Sequence, residues 1–375
     1  MLFWWLFAGV SLFSNKKVGR FVTNKYICEI TITFSMRTIG FTCLLLLLCV
    51  CQACGPGMKK EIQSSEKLGE NDSLKTLPVE VIVKDLTSDD IEVVKELLYD
   101  KYTLEDTYPY KDTTRSFQWD KIKQRLALLE NIQREPSRWC VLQNYKNRNG
   151  EAPLVKKYTR GVYKRITDTL GIERYQSVPL FLPDDTLVAE RYGQDGALTR
   201  FLGEEGSFMK VEPIFIRGEW LAPKRYVKLL PDTVFFNKAI MVDRLNQNIV
   251  TLERKEEAHW IVRSMNPATT GLHRPPYAQE TPLGMFVLQE KKVKLIVLKD
   301  GSAATGGFAP YASRFHNGGY IHGVPTNAPA SHLLEYSPTL GTIPRSHMCV
   351  RNATSHAKFI FDWAPVNETI IFVLE

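Results

Sequence analysis

The spacing of apolar residues changes character twice along the chain. Between residues 87 and 136 it is helical: Thr87-Ser88-Asp89-Asp90 reads as a cap, with Ile91, Val94, Leu97 and Leu98 on one face behind it. Trp119, Ile122, Leu126, Leu129 and Ile132 form a second stripe that stops before Pro136, and residues 138–145 read as a third helix. From 175 to 230 the pattern shortens to strand and turn signals at 178–182, 192–196 and 218–223. Beyond Phe236 strands dominate. Residues 239–243 and 249–252 pair around a turn at 245–248, 258–262 continues the meander, and 294–299 and 369–374 add further strands. Residues 353–361 read as one short helix. The chemistry is expected at the end of this β-rich part.

The N-terminal pattern belongs to targeting rather than to a core. An apolar run begins at Leu2 but is too short to span a bilayer, and a basic patch follows it. At Met36 a secretory pattern starts: Arg37 as the charged region, 41–50 as the apolar region, and Gln52-Ala53-Cys54-Gly55 as a small-residue cleavage site. This predicts a start at Met36, with 1–35 an upstream over-call; the alternative is an uncleaved N-terminal anchor. The segment resembles a bacterial lipobox, which implies lipidation of Cys54 and a tether that does not span the membrane. The divisions expected are 1–54 for this segment, 55–76 for a polar linker, 77–174 for a mainly helical region, 175–235 for a small module and 236–375 for the catalytic domain. The run from Trp220 to Val227 resembles the last strands of SH3-like barrel modules, so 175–235 reads as a wall-binding unit or a spacer.

Charge and cysteines narrow the function. With residues 1–54 set aside, the formal net charge falls from +7 to +3, and no basic run is interleaved with aromatics, so nucleic acid is not an expected partner. Five of the seven cysteines lie at or before Cys54, which leaves Cys140 and Cys349 and no disulfide framework. A Cys140–Cys349 bridge stays open at this level. Trp139-Cys140-Val141-Leu142 reads as an apolar helical setting with an inert, buried thiol.

Candidate chemistry gathers in Arg345-Ser346-His347-Met348-Cys349-Val350-Arg351-Asn352 and in Tyr320-Ile321-His322-Gly323. A cysteine attacks as its thiolate, so it needs a base or a cationic neighbour. His322 supplies the base if the fold brings it to Cys349, and backbone N–H groups at Met348 and Cys349 offer an oxyanion hole. A zinc site using the His-x-Cys step with His322 or His316 is the competing reading, although Cys-x-x-Cys and His-x-x-x-His partners are missing. Gly306, Gly307, Phe308, Tyr311, Arg314 and His316 read as a substrate-gripping loop. The proline-rich insert 324–345 reads as a lid or as a surface excursion.

These two segments, together with Glu280-Thr281-Pro282-Leu283-Gly284-Met285-Phe286, resemble the L,D-transpeptidase family of the YkuD type over roughly the last 140 residues. The resemblance implies a β-sandwich-like catalytic domain with a short helix after the cysteine. It also implies Cys349 as nucleophile, His322 as general base and the Gly323 carbonyl as the group that orients the base. Ser346, His347 and Met348 would shape the oxyanion and acyl pocket, and Arg351, Tyr320 and Arg314 would bind substrate. Met348 stands where the family has glycine, and a left-handed backbone there would strain a methionine. The implied reaction is acyl transfer on peptidoglycan stem peptides through a cysteine thioester, without metal or organic cofactor, giving 3→3 cross-links. The alternatives are an L,D-carboxypeptidase, an enzyme that anchors proteins to the wall, or a non-catalytic wall-binding lipoprotein. The setting implied is a monomer held by lipid at a membrane of the cell envelope, facing the periplasm.

Overall fold

A computed structural model of the protein describes residues 84–144 and 151–375; Cys54, the secretory pattern and the linker lie outside them. These described residues form one compact unit. The first elements are strands β1 (Glu92–Lys95), β2 (Thr107–Tyr110) and β3 (Thr113–Ser116), helix α1 (Trp119–Arg134) and β4 (Arg138–Leu142). This region, expected to be mainly helical, has one α-helix among its described residues. The cap at Thr87 is real, since the Thr87 N–H donates to Asp90 Oδ2 at 2.7 Å, yet the helical turn ends after Ser88–Asp90. Ile91, Val93 and Val94 are β-branched, and the strand they begin pairs in parallel with 259–262, which outweighs the helical spacing. The helix expected at 138–145 is β4. Pro136 holds Glu135 extended (ψ 130°), and the next four inward residues from Trp139 are all buried.

Next come β5 (Tyr158–Arg160), β6 (Ile166–Asp168), β7 (Ser177–Leu180), β8 (Arg191–Gln194), β9 (Leu198–Glu205), β10 (Phe208–Pro213), β11 (Trp220–Pro223) and β12 (Val227–Leu229). A five-stranded antiparallel sheet runs β11-β10-β9-β4-β12, so the strand-rich stretch after 175 takes β4 into its sheet from upstream.

The remaining elements are β13 (Lys238–Asp243), β14 (Asn248–Glu256), β15 (His259–Pro267), β16 (Gly284–Val287), β17 (Glu290–Leu298), β18 (Thr305–Arg314), β19 (Tyr320–His322), β20 (Thr326–Asn327), β21 (Val350–Arg351), helix α2 (Thr354–Trp363) and β22 (Thr369–Leu374). A six-stranded sheet has the order β1-β15-β14-β13-β22-β16, and a second sheet runs β17-β18-β19-β21 with β20 on β18. Side chains alternate between the faces of the first sheet. Ala239, Met241, Ile370 and Phe372 meet the α1 stripe of Ile122, Leu126, Leu129 and Ile132, whereas Ile240, Val242, Ile371 and Val373 meet Ile321, Val350 and Ile360. Burial on both faces explains why β22 is a continuous apolar run. Gly306 to Arg314, expected as a loop, is β18; its backbone pairs with β17 along most of its length.

Candidate active site

Two parallel strands bring the distant motifs together. Ile321 pairs with Val350 and His322 with Arg351, so His322 and Cys349, 27 positions apart in sequence, lie on adjacent strands or their ends. Cys349 lies two residues before Arg351, the register partner of His322, so side-chain alternation puts Cys349 and His322 on the same face as diagonal neighbours. The loop carrying Cys349 is pinned from three sides. Ser346 Oγ donates to the Cys349 carbonyl, Thr281 Oγ1 donates to the Met348 carbonyl at 2.7 Å, and the Gln279 N–H donates to the His347 carbonyl at 3.0 Å. Thr281 also accepts the Gly271 N–H at 2.8 Å. Its positioning role was missed in the sequence, where residues 280–286 count only towards the family resemblance; the hydroxyl one residue before Pro282 was the available signal.

His322 is buried, and its Nδ1 donates to the Gly323 carbonyl at 2.6 Å, which leaves Nε2 as the basic nitrogen. Burial holds its pKa down at about 4; the Gly323 carbonyl opposes that shift, and the Arg351 charge adds to it. The imidazole is therefore neutral near pH 7. Cys349 is half-buried, and its thiol donates to the Gly318 carbonyl at 3.3 Å. Burial pushes the thiol up from its ordinary value, while the Tyr320 N–H and the Arg351 charge pull it partly back. Gly323 admits no larger residue: a Cβ there would stand 2.7 Å from Thr354 Oγ1 and 2.9 Å from Pro310 Cγ.

The other expected site residues divide into two groups. Tyr320, Ser346, Met348 and Arg351 surround the Cys349–His322 pair, and Tyr320 acts there through its backbone. Met348 is buried and is not among the described residues with a left-handed backbone, so the expected strain is absent. His347 is part-exposed and bonds through Nε2 to Asp300 Oδ1 at 2.8 Å. Arg314 corrects the sequence reading. It is 3% exposed and is held by Asp195 at 3.1 Å and Glu290 at 3.2 Å, so it braces the join to the five-stranded sheet's neighbourhood and does not face substrate. His316 is likewise buried at the end of β18, packed edge-on against Phe286, with both ring nitrogens lacking a protein partner and its pKa pushed down to about 3.

Cys140 and Cys349 are both free thiols, and burial raises Cys140 to about 12. Among the described residues no group of three or more His, Cys, Asp or Glu side chains could hold a metal ion. A cavity of about 570 Å³ reaches His316, and another of about 610 Å³ reaches His347 and Arg351.

Comparison with known proteins gives the same region a family. Residues 237–373 match the YkuD model, the L,D-transpeptidase catalytic domain. No curated protein sequence matches the chain. Solved structures similar to it include an L,D-transpeptidase from Mycobacterium smegmatis (14% identity, 48% of this chain, 92% of that one, TM-score 0.31). Another is L,D-transpeptidase 3 from Mycobacterium tuberculosis in complex with a faropenem-derived adduct (16% identity, 60% and 94%, TM-score 0.32). A fused Zn-dependent amidase/peptidase/peptidoglycan-binding domain-containing protein from Clostridium acetobutylicum is similar at 17% identity over 36% of this chain, which spans 51% of that protein (TM-score 0.27). The family match, to the L,D-transpeptidase catalytic domain, covers 237–373 and so contains both the Cys349 and the His322 segments.

Proposed function

We propose that the protein is a peptidoglycan L,D-transpeptidase that forms 3→3 cross-links through a thioester on Cys349. The observation that carries this reading is the orientation of His322: its Nδ1 is committed to the Gly323 carbonyl, so Nε2 is the nitrogen left for the thiol on the same face. Nε2 takes the Sγ proton as sulfur attacks the carbonyl of the third stem residue. The tetrahedral intermediate collapses, the C–N bond breaks, and the imidazolium returns its proton to the departing D-alanine amine. The side-chain amine of a second stem then attacks the thioester, gives its proton to Nε2, and releases Sγ, which is reprotonated. Backbone N–H groups from His347 to Cys349 receive the oxyanion. In this reading Cys54 carries lipid that holds the domain at a membrane of the cell envelope, facing the periplasm.

The test is incubation of the protein with a disaccharide-tetrapeptide, with products read by mass spectrometry, beside Cys349→Ala and His322→Ala. A dimer joined through two third-position residues, absent with both variants, is the expected product. Tripeptide without dimer would move the reading to a carboxypeptidase, and no turnover would move it to a wall-binding protein.

A further inference from the structure

Residues 152–167 carry five Lys/Arg and no Asp/Glu, with Tyr158 and Tyr163 among them, a basic run with aromatics that the sequence reading passed over. The structure folds this run into the β5–β6 hairpin, a two-stranded sheet of its own in which Tyr158 pairs with Asp168 and Arg160 with Ile166. The base of the hairpin is fixed. Ile166 and Asp168 are buried, and the Asp168 carboxylate accepts the N–H groups of Leu170 at 2.9 Å, Ile172 at 3.0 Å and Tyr192 at 3.0 Å. Two of the five cations are used within the fold: Arg165 is held by Glu173 at 2.9 Å, and Lys156 by Asp185 and Glu190 at 3.0 Å each.

The turn is different. Val162 is 72% exposed and Tyr163 59%, and Tyr158 and Leu170 are exposed beside them in sequence. Tyr163 and Lys164 are successive left-handed residues, with φ 59° and 60°, so the chain accepts backbone strain where it presents these side chains to solvent. Lys157, Arg160 and Lys164 are exposed too, and among the described residues none of them has an acid within ion-pair distance. A soluble polyanion would pair the three cations and leave Val162 and Tyr163 in water. A bilayer with anionic headgroups satisfies both: lipid phosphates meet the cations, the valine leaves water, and a tyrosine ring suits the interface between headgroup and acyl chain.

We propose that the β5–β6 hairpin docks the folded unit on an anionic lipid surface, with Val162 and Tyr163 entering the headgroup layer and Lys157, Arg160 and Lys164 on the phosphates. Because the base is already fixed, docking orders little that was free. The contact depends neither on the chemistry at Cys349 nor on lipid at Cys54.

Hydrogen exchange read by mass spectrometry reports on the hairpin itself, whatever else attaches the chain to lipid. The full chain is measured alone, with phosphatidylcholine vesicles, and with vesicles of phosphatidylcholine and phosphatidylglycerol. The expected result is exchange over residues 158–168 slowed about ten-fold by the anionic vesicles and unchanged by the neutral ones. That slowing should vanish when Lys157→Gln, Arg160→Gln and Lys164→Gln are combined, and again when Val162→Ser and Tyr163→Ser are combined. In both variants β13 should exchange as in wild type, which shows the fold intact. No slowing, or equal slowing by both kinds of vesicle, overturns the proposal. Slowing that survives loss of Val162 and Tyr163, or that a short DNA duplex reproduces, overturns it as well, by making the hairpin a general polyanion site.

Discussion

His322 and Cys349 both have burial as the largest shift on their proton equilibria, and it favours the neutral form of each. The resting state is therefore a neutral pair, and its pH dependence differs from that of a thiolate–imidazolium pair. With the pKa of His322 held down at about 4, the base stays unprotonated as pH falls through 6, so the acylation rate should hold between pH 8 and about 5 and drop near 4. Stopped-flow acylation by a carbapenem measures this; an acid limb near 6.5 would show that His322 titrates at its ordinary value and overturn this reading. Gly323→Ala should cut acylation by at least a hundred-fold, since its methyl would collide with Thr354 and Pro310 and displace the carbonyl that orients His322. Met348→Gly should give no faster acylation and lower stability by about 2 kcal/mol, because a buried side chain is lost where no left-handed backbone requires glycine. The juxtaposition of His322 and Cys349 was expected from their types, and the parallel pairing of β19 with β21 brings their segments together. Arg314 was misread for a physical reason: an arginine beside a motif looks available until Asp195, 119 positions away, is seen to hold it.

At the level of elements, α1 is fastened to the first sheet by more than its apolar stripe. Glu130 is 2% exposed and receives Arg254 Nε at 2.8 Å and Trp260 Nε1 at 2.8 Å. Glu130→Ala leaves that guanidinium and indole N–H without their acceptor and should cost about 3–5 kcal/mol in urea unfolding. The α1 stripe was legible in the sequence because one face of a helix repeats strictly. The strands β1 and β4 were not, because their inward residues become apolar partners only once β15 and β9, far along the chain, are beside them. The insert 324–345 is tied down near its C-terminal half: Glu335 bonds to Ser355 and Lys101, Tyr336 packs on Tyr102 at 4.5 Å, and the Gly341 N–H donates to the Ala268 carbonyl at 3.0 Å. Neither a freely hinged lid nor a loose excursion describes it. Glu335→Ala should leave global unfolding within about 0.5–1 kcal/mol of wild type while speeding limited proteolysis between 327 and 338.

For the molecule as a whole, three histidines are buried in neutral form, with His316, His322 and His356 pushed down to about 3, 4 and 3. Their folded pKa values lie below the unfolded value of about 6.5, so each contributes stability above that pH that is lost as pH falls through 6.5 towards 4. Asp195 and Glu173, raised by burial, bind protons in the fold and offset part of this. The urea midpoint should fall between pH 7 and 5, and His316→Phe should reduce the slope by about one proton.

Strand β22 lies between β13 and β16 in the first sheet, although it follows both of them in chain order. As the chain is made, β13 and β16 emerge with their shared partner still missing. The sheet cannot close from one end to the other until residues 369–374 arrive. The loop that carries Cys349 is thus made before an interior strand of the sheet behind it.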